Sequence, residues 1–145
     1  MRYDYFPLEN LPQPGEIVWC RWPYAEDKGQ PGRDVRAVLV RKSSVLLDPD
    51  GIEYGALTVS YGTGSVWKYD RNLDLFIDTW PEIRAAGLHK PTCFSLRLGN
   101  KKTYPWSAEY FAPQGYVLNS PIVAGSLTQE QRARLRECLV RRGLA

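Results

Sequence analysis

The residues best placed to do chemistry lie between Arg33 and Gly64. There a basic approach (Arg33, Arg36) leads into the apolar run Ala37-Val38-Leu39-Val40, and a second run, Ala56-Leu57-Thr58-Val59-Ser60-Tyr61, ends in Gly62-Thr63-Gly64. Both runs have strand composition, being rich in β-branched and aromatic residues. Asp48-Pro49-Asp50-Gly51 between them is turn chemistry, since Pro presets φ and Gly supplies a positive φ. Two neighbouring strands would bring an Arg-bearing strand entrance near a hydroxyl-bearing strand exit, a pairing suited to handling phosphate. Trp22, Tyr24, Tyr61 and Trp67 lie close to this stretch in sequence, and such rings can stack on unpaired bases. His89, the single histidine, stands in a loop approaching Pro91 and reads as a loop residue rather than an acid–base catalyst.

These residues need a scaffold, and 145 residues suffice for one domain with a core. The apolar fraction of 43% and charged fraction of 24% match a soluble globular chain. No apolar run approaches the roughly 18 residues needed to span a bilayer, and the N-terminus lacks a signal pattern, so a cytoplasmic protein is expected. Cys20, Cys93 and Cys138 are widely spaced, form no CxxC and have one histidine for company, which argues against zinc and for buried, reduced thiols. The net charge of +3 equals that of residues 126–145, so any case for a nucleic-acid partner rests on local clusters. Arg33, Arg36, Arg41 and Lys42 form one, and Arg97, Lys101 and Lys102 another.

Residues 1–14, with three prolines, read as an extended arm on a domain of residues 15–145. Gly15 to Trp22 alternates as a first strand after a Pro-Gly turn, and residues 25–33 form a polar loop. Residues 64–72 are a polar connection; Leu73 to Ile77 is a short strand, and Trp80 to Gly87 one or two helical turns. Thr92 to Leu98 alternates and, through Gly99-Asn100, is expected to form a hairpin with Lys101 to Trp106. Pro121 to Gly125 is a final short strand. A helix over about Gln129 to Arg142 begins with a capping box at Thr128 and Gln131, burying Leu135, Cys138 and Leu139. The chain is therefore expected to be mainly β with a C-terminal helix, a small, strongly bent sheet or barrel.

Pro14-Gly15-Glu16-Ile17-Val18-Trp19, Arg36-Ala37-Val38-Leu39-Val40, Tyr61-Gly62-Thr63, Gly87-Leu88-His89-Lys90-Pro91-Thr92-Cys93-Phe94 and Pro121-Ile122-Val123-Ala124-Gly125-Ser126-Leu127, in that order, resemble motifs of the PemK/MazF-like toxins of bacterial type II toxin–antitoxin systems. The resemblance spans about residues 14–142. It implies an SH3-like small barrel of the PemK/MazF/CcdB type, usually a homodimer, that cuts single-stranded RNA without a metal or other cofactor and is held in check by an antitoxin. In such enzymes the ribose 2′-hydroxyl attacks the adjacent phosphate, leaving a cyclic phosphate and a 5′-hydroxyl end. An Arg fork and a Thr hydroxyl suit the phosphorane oxygens, which gives Arg33, Arg36 and Thr63 as catalytic candidates and Trp22, Tyr24, Lys28, Tyr61, Ser65 and Trp67 as RNA contacts. The family's R-P dipeptide falls on Val35-Arg36, so the expected arginine position is Val35, and the role stays open between Arg33 and Arg36. Two other classes remain open: a non-catalytic toxin of this fold aimed at a protein such as gyrase, and an RNA- or protein-binding SH3-like module.

Overall fold

A computed structural model gives the fold and describes residues 3–22, 33–97, 100–112 and 122–144. Seven strands form one antiparallel sheet: β1 (Glu16–Trp22), β2 (Arg33–Leu47), β3 (Glu53–Thr63), β4 (Leu75–Ile77), β5 (Thr92–Phe94), β6 (Lys101–Pro105) and β7 (Val123–Ser126). Helix α1 spans Trp80–Ala85 and α2 Gln129–Arg141. The strand order is β4-β5-β3-β2-β1-β7, with β6 also paired to β3. Among the described residues β4 and β7 do not pair with each other, so the sheet is not closed into a barrel.

The β2–β3 ribbon is longer than the two apolar runs that foretold it. Its turn forms where Asp48 Oδ1 accepts the amides of Asp50 and Ile52, both at 2.9 Å, and Gly51 takes φ +77°. Beyond Lys42 the ribbon leaves the core, and Val45 and Leu47 are exposed. The first strand differs from its alternating pattern too. Ile17 packs in one cluster with Val38, Phe94 and Leu135, while Val18 and Cys20 pack in another with Leu39, Val59 and Phe111. Both faces of β1 are covered, so its polar positions are few.

Among the described residues β5 and β6 do not pair with each other, unlike the hairpin expected across Gly99-Asn100, which itself falls partly outside those residues. β5 and β6 lie end to end along one edge of β3: Cys93 and Phe94 face Thr63 and Gly62, and Lys101 to Pro105 face Ser60 to Ala56. Between these two pairings the Ser95 amide donates to the Tyr61 carbonyl at 2.8 Å. Leu96 breaks the strand because its amide turns to Asp74 Oδ1, at 2.9 Å, and its side chain enters the core. The expected strand over Thr92 to Leu98 thus stops at Phe94, and that over Leu73 to Ile77 starts at Leu75.

Helix α2 begins with the expected reciprocal cap: Thr128 Oγ1 accepts the Gln131 amide at 3.1 Å, and Gln131 Oε1 accepts the Thr128 amide at 2.9 Å. Buried Gln131 also donates to the Glu82 carbonyl of α1 at 3.1 Å. Leu135, Cys138 and Leu139 point into the first cluster. Gly125 of β7 packs so tightly on α1 that a Cβ there would collide with the Ala86 carbonyl oxygen. The N-terminal residues run along β6, where Phe6 donates its amide to Trp106 O at 3.0 Å and the two rings pack together. All three cysteines are buried, and none is in a disulfide.

Candidate functional site

Strand pairing fixes where Arg36 goes. It lies opposite Trp19 on β1, and its guanidinium carbon sits 4.5 Å from the centre of the Trp19 ring. Trp19 is buried and Arg36 half-buried, with Nε enclosed and unbonded. Burial lowers the guanidinium pKa from its ordinary value, though an arginine remains charged at neutral pH. The stack contributes about 0.5–2 kcal/mol, but an aromatic face accepts no strong in-plane hydrogen bond. Arg36 therefore keeps donors to spend on an oxyanion. Val35, where the resembling family places its arginine, is 8% exposed and part of the second core cluster.

At the other partner edge, a Cβ at Gly62 would collide with the Arg36 carbonyl oxygen and stand 2.8 Å from the Phe94 ring. Only glycine lets β2, β3 and β5 close up here. One residue on, Thr63 Oγ1 accepts the Ser65 amide at 3.1 Å. A hydroxyl that accepts through a lone pair still has its proton to donate. A Cβ at exposed Gly64 would lie 3.5 Å from Lys90 Nζ, so an ammonium stands beside this turn. A short 3-10 turn, Val66–Lys68, follows and holds Trp67 with 77% of its surface exposed.

The segment between β5 and β6 supplies the next cation. Arg97 Nη2 donates to the Lys68 carbonyl at 3.0 Å, and its guanidinium carbon lies 4.8 Å from the Tyr69 ring centre. Burial raises the Tyr69 phenol pKa; Arg97 opposes that shift and nearby Tyr61 reinforces it. Tyr61 itself is half-buried against the second cluster. Tyr61, Thr63, Ser65 and Trp67 are thus gathered with Lys90 and Arg97 around one turn, where aromatic surface, hydroxyl and cation alternate. Among the described residues neither Lys90 nor Arg97 forms an ion pair.

The same pairing separates Arg36 from Thr63. Tyr61 packs with the second cluster, and strand alternation sends Thr63 to that side. Arg36, two residues from Val38, leaves on the face of the first. The sheet lies between the two candidates. Trp22 and Arg33 form the last rung of β1 and β2, with side chains outside the described residues, as are Tyr24 and Lys28 altogether. Sequence reasoning passed over Lys90 and Tyr69. Lys90 sits within the Gly87 to Phe94 motif, but nothing local says that β5 carries it to the β3 exit. Arg97 stood out only as part of a basic cluster. No protein-family model matches the chain, and no curated protein matches it.

Proposed function

We propose that this chain is an endoribonuclease toxin of the PemK/MazF kind, an SH3-like barrel in plan, that cuts single-stranded RNA in the cytoplasm as a homodimer and is neutralised by an antitoxin. The observation that carries the reading is the β3 exit: a threonine hydroxyl with its proton unspent, then Gly64 with the Lys90 ammonium beside it, an exposed tryptophan, and Arg97 fastened to the Lys68 carbonyl. Single-stranded nucleic acid is held by cations along its backbone and aromatic faces under its bases. In this reading Trp67 stacks a base, Arg97 and Lys90 draw the backbone, and Thr63 donates to a non-bridging oxygen of the scissile phosphate. As the ribose 2′-oxygen attacks, negative charge builds on the phosphorane, and fixed donors there are worth more in the transition state than in the ground state.

One observation favours a second reading. Arg36 and Thr63 leave the sheet on opposite faces, which suits a protein that binds RNA or poisons a protein target without cutting RNA. The test is a long single-stranded RNA incubated with wild type, Thr63→Ala, Lys90→Ala, Arg33→Ala and Arg36→Ala in EDTA. Discrete fragments with cyclic-phosphate ends from wild type, lost in Thr63→Ala, are expected. Intact RNA from folded protein that still arrests growth would replace the nuclease with a protein poison. Intact RNA without growth arrest would leave a binding module.

A further inference from the structure

On the face of the sheet opposite the Thr63 side, two rows of residues cross three strands. Arg41 on β2 faces Thr58 on β3, which faces Thr103 on β6; in the next row Val38 faces Ser60, which faces Lys101. Directly opposed residues of antiparallel strands share a face, so two long cations flank three hydroxyls. Strand spacing and rise put Arg41 and Lys101 roughly 12 Å apart at their Cα atoms, within reach of two long side chains extending toward each other. Thr58 Oγ1 and Thr103 Oγ1 are 2.8 Å apart. Ser60 is fully buried, and its Oγ has no hydrogen-bond partner. Arg41 is exposed and Lys101 half-buried, and neither makes an ion pair or hydrogen bond to a described residue.

Unpaired cations are ordinary at a surface, but an unbonded buried hydroxyl beside them is costly. A buried hydroxyl left unbonded costs about 1–3 kcal/mol, and two neighbouring like charges, neither paired with a carboxylate among the described residues, repel. Burial, and then the Arg41 charge, lower the Lys101 ammonium pKa. A tetrahedral oxyanion removes these penalties at once, since it accepts from a guanidinium fork, an ammonium and hydroxyls. We propose that Arg41, Lys101 and the hydroxyls of Ser60, Thr58 and Thr103 form a binding site for a phosphate-class oxyanion, either a phosphomonoester or a phosphodiester of a polynucleotide backbone. The site is separate from the turn after Thr63 and does not rest on RNA cleavage.

The test is an amide-resolved NMR titration with sodium phosphate at pH 7, against sodium chloride at matched ionic strength. Saturable shifts at Ser60, Lys101 and Thr103 are expected with phosphate only. Arg41→Gln, a change at an exposed side chain that leaves the fold intact, should weaken binding about tenfold or more. Lys101→Gln should do the same, and Ser60→Ala should weaken it less. Linear drift matching chloride, or unchanged affinity in the Arg41→Gln/Lys101→Gln protein, would overturn the proposal. Competition by an eight-nucleotide oligouridylate identifies the backbone phosphodiester as the ligand; competition by uridine monophosphate alone identifies a phosphomonoester. Phosphate binding with which neither competes would mean an adventitious ion only, and would also overturn it.

Discussion

Asp74 has no exposed side-chain surface, and Arg142, just past the end of α2, keeps 17%. Their ion pair is 2.7 Å long; the carboxylate also accepts the Leu96 amide at 2.9 Å and the Asp70 amide at 3.2 Å. Arg142 Nε donates to the Leu73 carbonyl at 2.6 Å. Replacing Arg142 with Met keeps the aliphatic stem but strands a buried carboxylate. Breaking a buried pair from one side costs about 3–5 kcal/mol, and the two amide donors that remain place this case near 3 kcal/mol. For a chain of this length that lowers Tm by roughly 10 °C, a large share of the 5–15 kcal/mol that usually holds a domain. Asp74→Asn should cost about 1.5–3 kcal/mol, because Arg142 can turn to water. The double variant should be more stable than the sum of the singles implies, by about 1–3 kcal/mol. Urea unfolding of all four proteins measures this directly. A loss below about 1 kcal/mol for Arg142→Met, or strict additivity, would refute the idea that this pair locks the helix to β4.

Cys93 is buried, and burial together with Asp74 pushes its thiol pKa up to about 12. The unfolded chain ionises this thiol near pH 9 while the folded one does not, so the unfolded state binds fewer protons above that pH. Stability should then fall between about pH 9 and 12, by up to about 1.4 kcal/mol per pH unit, and Cys93→Ala should flatten the slope in urea titrations. Gly51 and Gly125 separate conformation from space. Gly51→Ala meets no neighbour and pays only for φ +77°, about 1–2 kcal/mol, whereas Gly125→Ala must move the Ala86 carbonyl and should lower Tm further or prevent folding. Trp67→Ala should leave stability within about 0.5 kcal/mol yet weaken binding of a single-stranded oligonucleotide by about 1–3 kcal/mol, read by fluorescence anisotropy.

What could be read from the sequence was whatever neighbours in the chain decide. The capping box of α2 is written in residues 128 and 131, the ribbon turn in Asp48 to Gly51, and the end of α1 in Gly87, which takes φ +78°. The partner of β6 was not legible. Thr92 to Trp106 has a hairpin's pattern, and only the long β3, met thirty residues earlier, offers both halves an edge. At the candidate site a hydroxyl at a strand exit followed from types and spacing. Trp67 was one of four rings able to stack on a base, but which of them would be exposed was not legible. The face taken by Arg36 was not legible either, because it depends on the parity with which β2 enters the sheet, set by core packing of Val35 and Ala37. Nor did sequence show that Arg97, far along the chain, would fasten the turn carrying Trp67.

The interruption between β5 and β6 has a consequence for how this protein tolerates changes of length. Register is fixed independently on its two sides, by Phe94 against Gly62 and by Lys101 against Ser60. A strand normally passes an error in spacing to every residue after it, and one slip reverses all its side chains. Here such an error stops between the two pairings. Closure entropy grows slowly with length, by about 0.6 kcal/mol per doubling, so residues added between Arg97 and Asn100 would lengthen the protein without turning any β6 side chain to the wrong face. Ser95 and Leu96 mark the limit, because they are bonded into the sheet and the core. Past Arg97 and before Lys101, a change of length leaves the pairing of both strands with β3 as it is.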